Sequence, residues 1–148
     1  MLLKLKSLKS FLVIGLFISL TSIASADFKR VDNSSVLDTF TNLQWQDDNS
    51  NELTSHSVNY CEKLSLDGHN DWRSPNVNEL YTIIDFTKTA PSLNTSVFKN
   101  YRSAPYWTST RFTVAGWTHR WAVDFATGEV RQDYNTTKKL SVRCVRNR

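Results

Sequence analysis

Only 4 glycines and 3 prolines occur in the 148 residues, so most turns must be built from Asn, Asp, Ser and Thr, whose side chains hydrogen-bond their own backbone. Cysteine is scarcer still. Cys61 and Cys144 are the whole supply, and the three histidines, His56, His69 and His119, lie far apart; no His/Cys cluster suggests a metal site, and the sequence calls for no cofactor. None of these histidines has a nucleophile or carboxylate at a telling spacing, and Ser109 in "WTST" lacks the glycine elbow that presents a nucleophilic serine. These absences argue against an enzyme. Long apolar runs are missing too: the best, residues 11–20, is about half of what a bilayer requires. Preceded by Lys4, Lys6 and Lys9 and followed by Ala24-Ser25-Ala26, it reads as a secretory signal cleaved after Ala26. One domain, residues 27–148, would then reach the periplasm or the exterior without a membrane span.

Export changes how the remaining residues are read. In an oxidising compartment the pair Cys61 and Cys144 is expected to form a disulfide, worth on the order of 4 to 5 kcal/mol by loop-closure entropy. Removing the three leader lysines takes the net charge from +4 to +1, and the remainder is uneven. Residues 27–96 carry 5 basic and 11 acidic side chains, residues 97–148 carry 10 and 3. The basic part is either a polyanion surface or the counterpart of the acidic one. A net charge near zero on an exported chain fits nucleic acid poorly.

Periodicity suggests an α+β fold with two helices enclosed by antiparallel strands, the N- and C-terminal strands paired. Residues 28–31 and 36–45 read as a β-ribbon turning at Asp32-Asn33-Ser34-Ser35. Residues 54–66 read as a helix ended by Gly68. Asn76 with Glu79 forms a capping box that opens a second helix, whose Leu80, Ile83 and Ile84 face inward. Four strand-like runs follow: "PYWTST", "GWTHRWAVDF", "EVRQDY" and "LSVRCVR". Between the second and third, Ala126-Thr127-Gly128 suits a hairpin loop with glycine left-handed.

The blocks "TNLQWQD", "YCEKLSLDGHNDWRSPNVNEL", "YWTST", "WAVDFATGEV" and "VRCVR", in this order and spacing, resemble the bacterial domain family named after the C-terminal domain of the Legionella collagen-like adhesin. The resemblance covers residues 28–146. It implies a C-type-lectin-like fold, close to that of formylglycine-generating enzymes, and a binding role, since the namesake is implicated in recognising sulfated glycosaminoglycans. Ser74 stands where the family usually has Leu, and no collagen-like stalk is present to trimerise the domain.

Two constellations compete for function. In "GHNDWRSPNVNEL" a lectin-type reading would gather Asn70, Asp71, Asn76 and Glu79 around calcium, which needs six to eight oxygen ligands. Glu79, however, is taken by the helix cap. The structural reading is preferred: Trp72 joins Trp45 and Trp107 in the core, Arg73 pairs with Asp71, Asp124 or Glu79, and Gly68 and Pro75 set turns. In "RFTVAGWTHRW" and just beyond it, Arg111, His119, Arg120 and Arg131 with Trp117 and Trp121 combine guanidinium forks for sulfate or carboxylate with aromatic faces for sugar rings. Alternation along a strand sends neighbours such as Arg120 and Trp121 to opposite faces, which would split this set. The expected function is binding of an anionic polysaccharide in adhesion, without calcium or chemistry; the alternative is a protein-interaction module of the envelope or of a surface appendage. Nothing in the sequence fixes an oligomeric state.

Overall fold

The computed structural model describes residues 27–50, 53–135 and 137–148, without the side chains of Asp133 and Tyr134; the proposed leader lies outside them. In chain order the elements are β1 (Phe28–Asp32), β2 (Ser35–Asp38), β3 (Leu43–Gln46), β4 (Leu53–Thr54), α1 (Ser57–Glu62), α2 (Val77–Tyr81), β5 (Pro105–Val114), β6 (Trp117–Asp124), β7 (Glu129–Asn135), β8 (Leu140–Ser141) and β9 (Val145–Asn147). They build two sheets, ordered β1-β2-β3-β9 and β4-β8-β5-β6-β7. All pairings are antiparallel except β5 with β8, which meet in parallel at Tyr106 and Ser141.

Two cores result. The larger joins Val36, Leu43, Trp45 and Val145 of the first sheet to Leu80, Ile83, Phe98, Tyr106, Val123 and Phe125. The smaller gathers Trp72, Trp107, Ala122 and Val142 around the Cys61–Cys144 disulfide. Neighbours along β5 and β6 alternate between them: Tyr106 pairs with Val123 toward the first core, Trp107 with Ala122 toward the second. The second sheet is thus buried on both faces at this level, with α1 on the disulfide side.

The α+β, C-type-lectin-like expectation is overturned. Strands dominate both sheets, and among the described residues the two helices have only six and five residues, too short to form the helical half of such a fold. The reasons are local. Leu53 and Thr54 pair with β8 and are lost to α1, and His56 at its N-cap makes no side-chain capping bond. Gly68 does not end that helix. With Asp67 it forms a two-residue turn, both at positive φ, that closes a bridge between Leu66 and His69. Residues 36–45 are two strands, because the Asp38 carboxylate accepts from Phe40 N and Thr41 N and folds the chain back. "PYWTST" continues to Val114, and "LSVRCVR" splits into β8 and β9, which lie in different sheets.

Candidate functional site

The motif at residues 68–80 holds the sheets together. Arg73 N donates to Val145 O and Val145 N to Arg73 O, at 2.8 and 2.9 Å, so the motif adds a rung beside β9. Further on, Ser109 N donates to Pro75 O, and Val77 N to Thr110 Oγ1, which ties the motif to β5. Trp72 is buried and donates to Leu66 O. The carboxylate fixing Arg73 is Glu79: two 2.8 Å bonds form a fork, while Glu79 also accepts from Asn76 N in the capping box. Burial alone would raise the Glu79 pKa, but the bonds from Arg73 and Asn76 N outweigh it and hold it below the usual glutamate value. Asp71 is engaged elsewhere, accepting from Arg146 Nε at 2.7 Å, and that bond lowers its pKa.

The basic C-terminal part divides in two. Arg143, 2% exposed, donates to Gln46 O, Asp47 Oδ1 and Asn100 O beneath Phe98. Asp47 also pairs with Arg30 and accepts from Lys99 N and Asn100 N. Arg131 is held by Asp124 and Glu129 at 3.0 and 3.2 Å. These arginines, like Arg146, are neutralised locally. Arg111 and Arg120 are different: they stand directly opposite each other across β5 and β6, and among the described residues no carboxylate pairs with either. Like charges facing each other on one side of an antiparallel pair oppose folding.

How β5 reaches that position follows from its irregularity. Residues 108–110 stand against Trp121 alone, between the Trp107–Ala122 and Arg111–Arg120 pairs, and Thr108 Oγ1 bonds Trp121 O at 2.7 Å. Beyond this bulge the two strands run on to a tight turn at Ala115-Gly116, both at positive φ. Arg120, two residues from Ala122, shares its face and points to the disulfide side. There its Nη1 donates to Ser57 Oγ at the start of α1, at 3.0 Å, while its Nε is enclosed without an acceptor among the described residues. Burial, and Arg111 beside it, lower the guanidinium pKa. Arg111 and Arg120 line an open cleft of about 400 Å³ with Ser55, His56, Thr118 and Thr137.

The opposite face of the same hairpin is aromatic. Phe112 stacks on His119 at 5.2 Å and packs against Trp121 at 5.6 Å, and Trp121 lines a groove with Val77, Asn78, Tyr81 and Val130. At the tip, Trp117 pairs with Val114 and is 74% exposed. The structure therefore unites Arg111 with Arg120, places Trp117 and His119 on the other side, and removes Arg131 to an ion-paired position. Trp45, Trp72 and Trp107 are all buried. Sequence reasoning did not place Ser55, His56, Ser57 or Thr137 here, since they come from two separate segments outside any motif, and it passed over Thr118 within "RFTVAGWTHRW". It also missed Arg143 and Asp47, whose separation of 96 residues left no local signal.

Residues 34–146 match the family described as Lcl C-terminal domain, and the chain belongs to that family. The match runs from the turn before β2 into β9 and so includes both the scaffold motif and the basic hairpin. No curated protein matches the chain. Its disulfide fits an environment outside the cytoplasm, and among the described residues no helix is long and apolar enough to cross a membrane.

Proposed function

For this member of the Lcl C-terminal domain family we propose a non-enzymatic role in surface attachment, exercised after export by binding anionic glycans at the Arg111–Arg120 cleft. One observation carries the reading: two guanidinium groups face each other across a hairpin with no described carboxylate to neutralise them, while the other arginines packed near acids are paired. For Arg120, which is half-buried, a charge drawn out of water without a partner is costly unless something else supplies the counter-charge. Guanidinium forks suit planar or tetrahedral oxyanions. A glycan array with the exported protein tests this. Sulfated, phosphorylated or uronate glycans should be retained over neutral ones, equally in calcium and in chelator; equal retention of neutral glycans would contradict it.

The aromatic face favours a second reading, a protein-interaction module. Trp117, Val114, Tyr81, Phe86 and Val130 are exposed large apolar residues, and apolar surface of this kind marks contact sites. On that reading Trp117→Ser would abolish attachment and Arg120→Ser would leave it intact.

A further inference from the structure

We propose that the group seated between Arg111 and Arg120 is a phosphomonoester carried on a sugar, an assignment that rests on the cleft being the glycan-binding site. Charge balance carries it. Among the described residues, the charged and titratable side chains lining the cleft are Arg111, Arg120 and His56, with no acid among them. A sulfate monoester or a carboxylate brings one negative charge and leaves one guanidinium uncompensated. A phosphomonoester brings nearly two at neutral pH, its second ionisation lying near pH 6, with three strong acceptor oxygens. Arg120 is the group that most needs the second charge: it is half-buried, its Nη1 is anchored to Ser57 and its Nε has no acceptor among the described residues. Ser55, Thr118 and Thr137 also line the cleft and bring hydroxyls that can donate, that of Ser55 lying 3.0 Å from His56 Nδ1. At about 400 Å³ the open cleft has room for a phosphate and part of the ring that bears it.

The test is a calorimetric titration of the disulfide-bonded protein with methyl phosphate, methyl sulfate, inorganic phosphate and glucose 6-phosphate, at pH 7.5 and pH 5.0. Methyl sulfate keeps one charge at both values, so it registers any change in the protein itself, and the ratio of the two methyl esters isolates the phosphate's second ionisation. At pH 7.5 methyl phosphate should bind about tenfold more tightly than methyl sulfate, and the ratio should fall toward one at pH 5.0. Glucose 6-phosphate should bind at least as tightly as inorganic phosphate. Arg111→Gln, which leaves one guanidinium, should erase the preference while the melting temperature stays near that of the wild type. Equal affinity of the two esters at pH 7.5, a preference that survives Arg111→Gln, or tighter binding of inorganic phosphate than of glucose 6-phosphate would overturn the assignment. If heparin and methyl sulfate still bind in the cleft, only the phosphomonoester falls; if no anion binds there, the glycan reading falls with it.

Discussion

Arg120 occupies a position where folding alone would not select a charge. Opposed by Arg111 and half-buried, it should be replaceable by Met with the melting temperature unchanged or raised, while retention on heparin is lost. Thermal denaturation beside a heparin column checks both halves, and a marked destabilisation would mean that Arg120 serves the fold. Asp47 is the contrasting case. Its side chain is fully enclosed between Arg30 and Arg143, and breaking a buried pair by removing one partner costs about 3 to 5 kcal/mol. Asp47→Ala should therefore unfold early in urea, with heparin binding unaltered where the protein is still folded. Arg73 and Glu79 lie between these extremes, because 39% of the Arg73 side chain is exposed and the fork is screened accordingly. The folded-state pKa of Glu79 is depressed, so the stability it contributes is present in full above the ordinary glutamate value, about 4.3, and is lost as pH falls below it. Glu79→Gln should show a shallower acid-induced loss of stability than wild type. The capping box was legible because Asn76 and Glu79 are three residues apart, but Glu79 was only one of three candidate partners for Arg73, with Asp71 and Asp124; the Arg143–Asp47 pair was not legible at all.

Among the elements, β5 and β6 matter most. Their turn places Ala115 at φ +50°, a conformation that an L residue adopts at a cost of roughly 1 to 2 kcal/mol and that Asn tolerates better. Ala115→Asn should raise the melting temperature by a few degrees and leave anion binding untouched, since Ala115 is not among the residues lining the cleft. A fall in stability would show that Ala115 packs against something. Sequence alternation gave the main property of this hairpin, separation of Arg120 from Trp121, because side chains on a strand alternate whatever the tertiary context. The helices were less legible. Apolar spacing over residues 54–66 mimicked a helical face, but Leu53 and Thr54 had a strand to pair with and Leu66 a turn to join. Tertiary pairing overrode a weak local preference.

At the scale of the whole molecule, the disulfide does two things. It ties α1 to the segment between β8 and β9, and α1 carries the Ser57 hydroxyl that holds Arg120. Replacing Cys61 and Cys144 together by Ala should reduce stability by about 3 to 5 kcal/mol and weaken anion binding in protein that remains folded; unchanged binding would show that α1 keeps its place without the crosslink. The charge asymmetry, −6 over residues 27–96 and +7 over 97–148, was visible at once, but its meaning was not. Only the fold reveals that Arg143 and Arg146 answer Asp47 and Asp71, leaving Arg111 and Arg120 opposed and, among the described residues, unanswered. The most direct test is elution from heparin under a rising salt gradient, comparing wild type with Arg111→Ser/Arg120→Ser and with Trp117→Ser. Wild type and Trp117→Ser should be retained at low salt and released as salt screens the contact, while the double variant, with an unchanged melting temperature, should flow through. Retention of the double variant at the wild-type salt concentration would contradict the assignment of binding to this cleft.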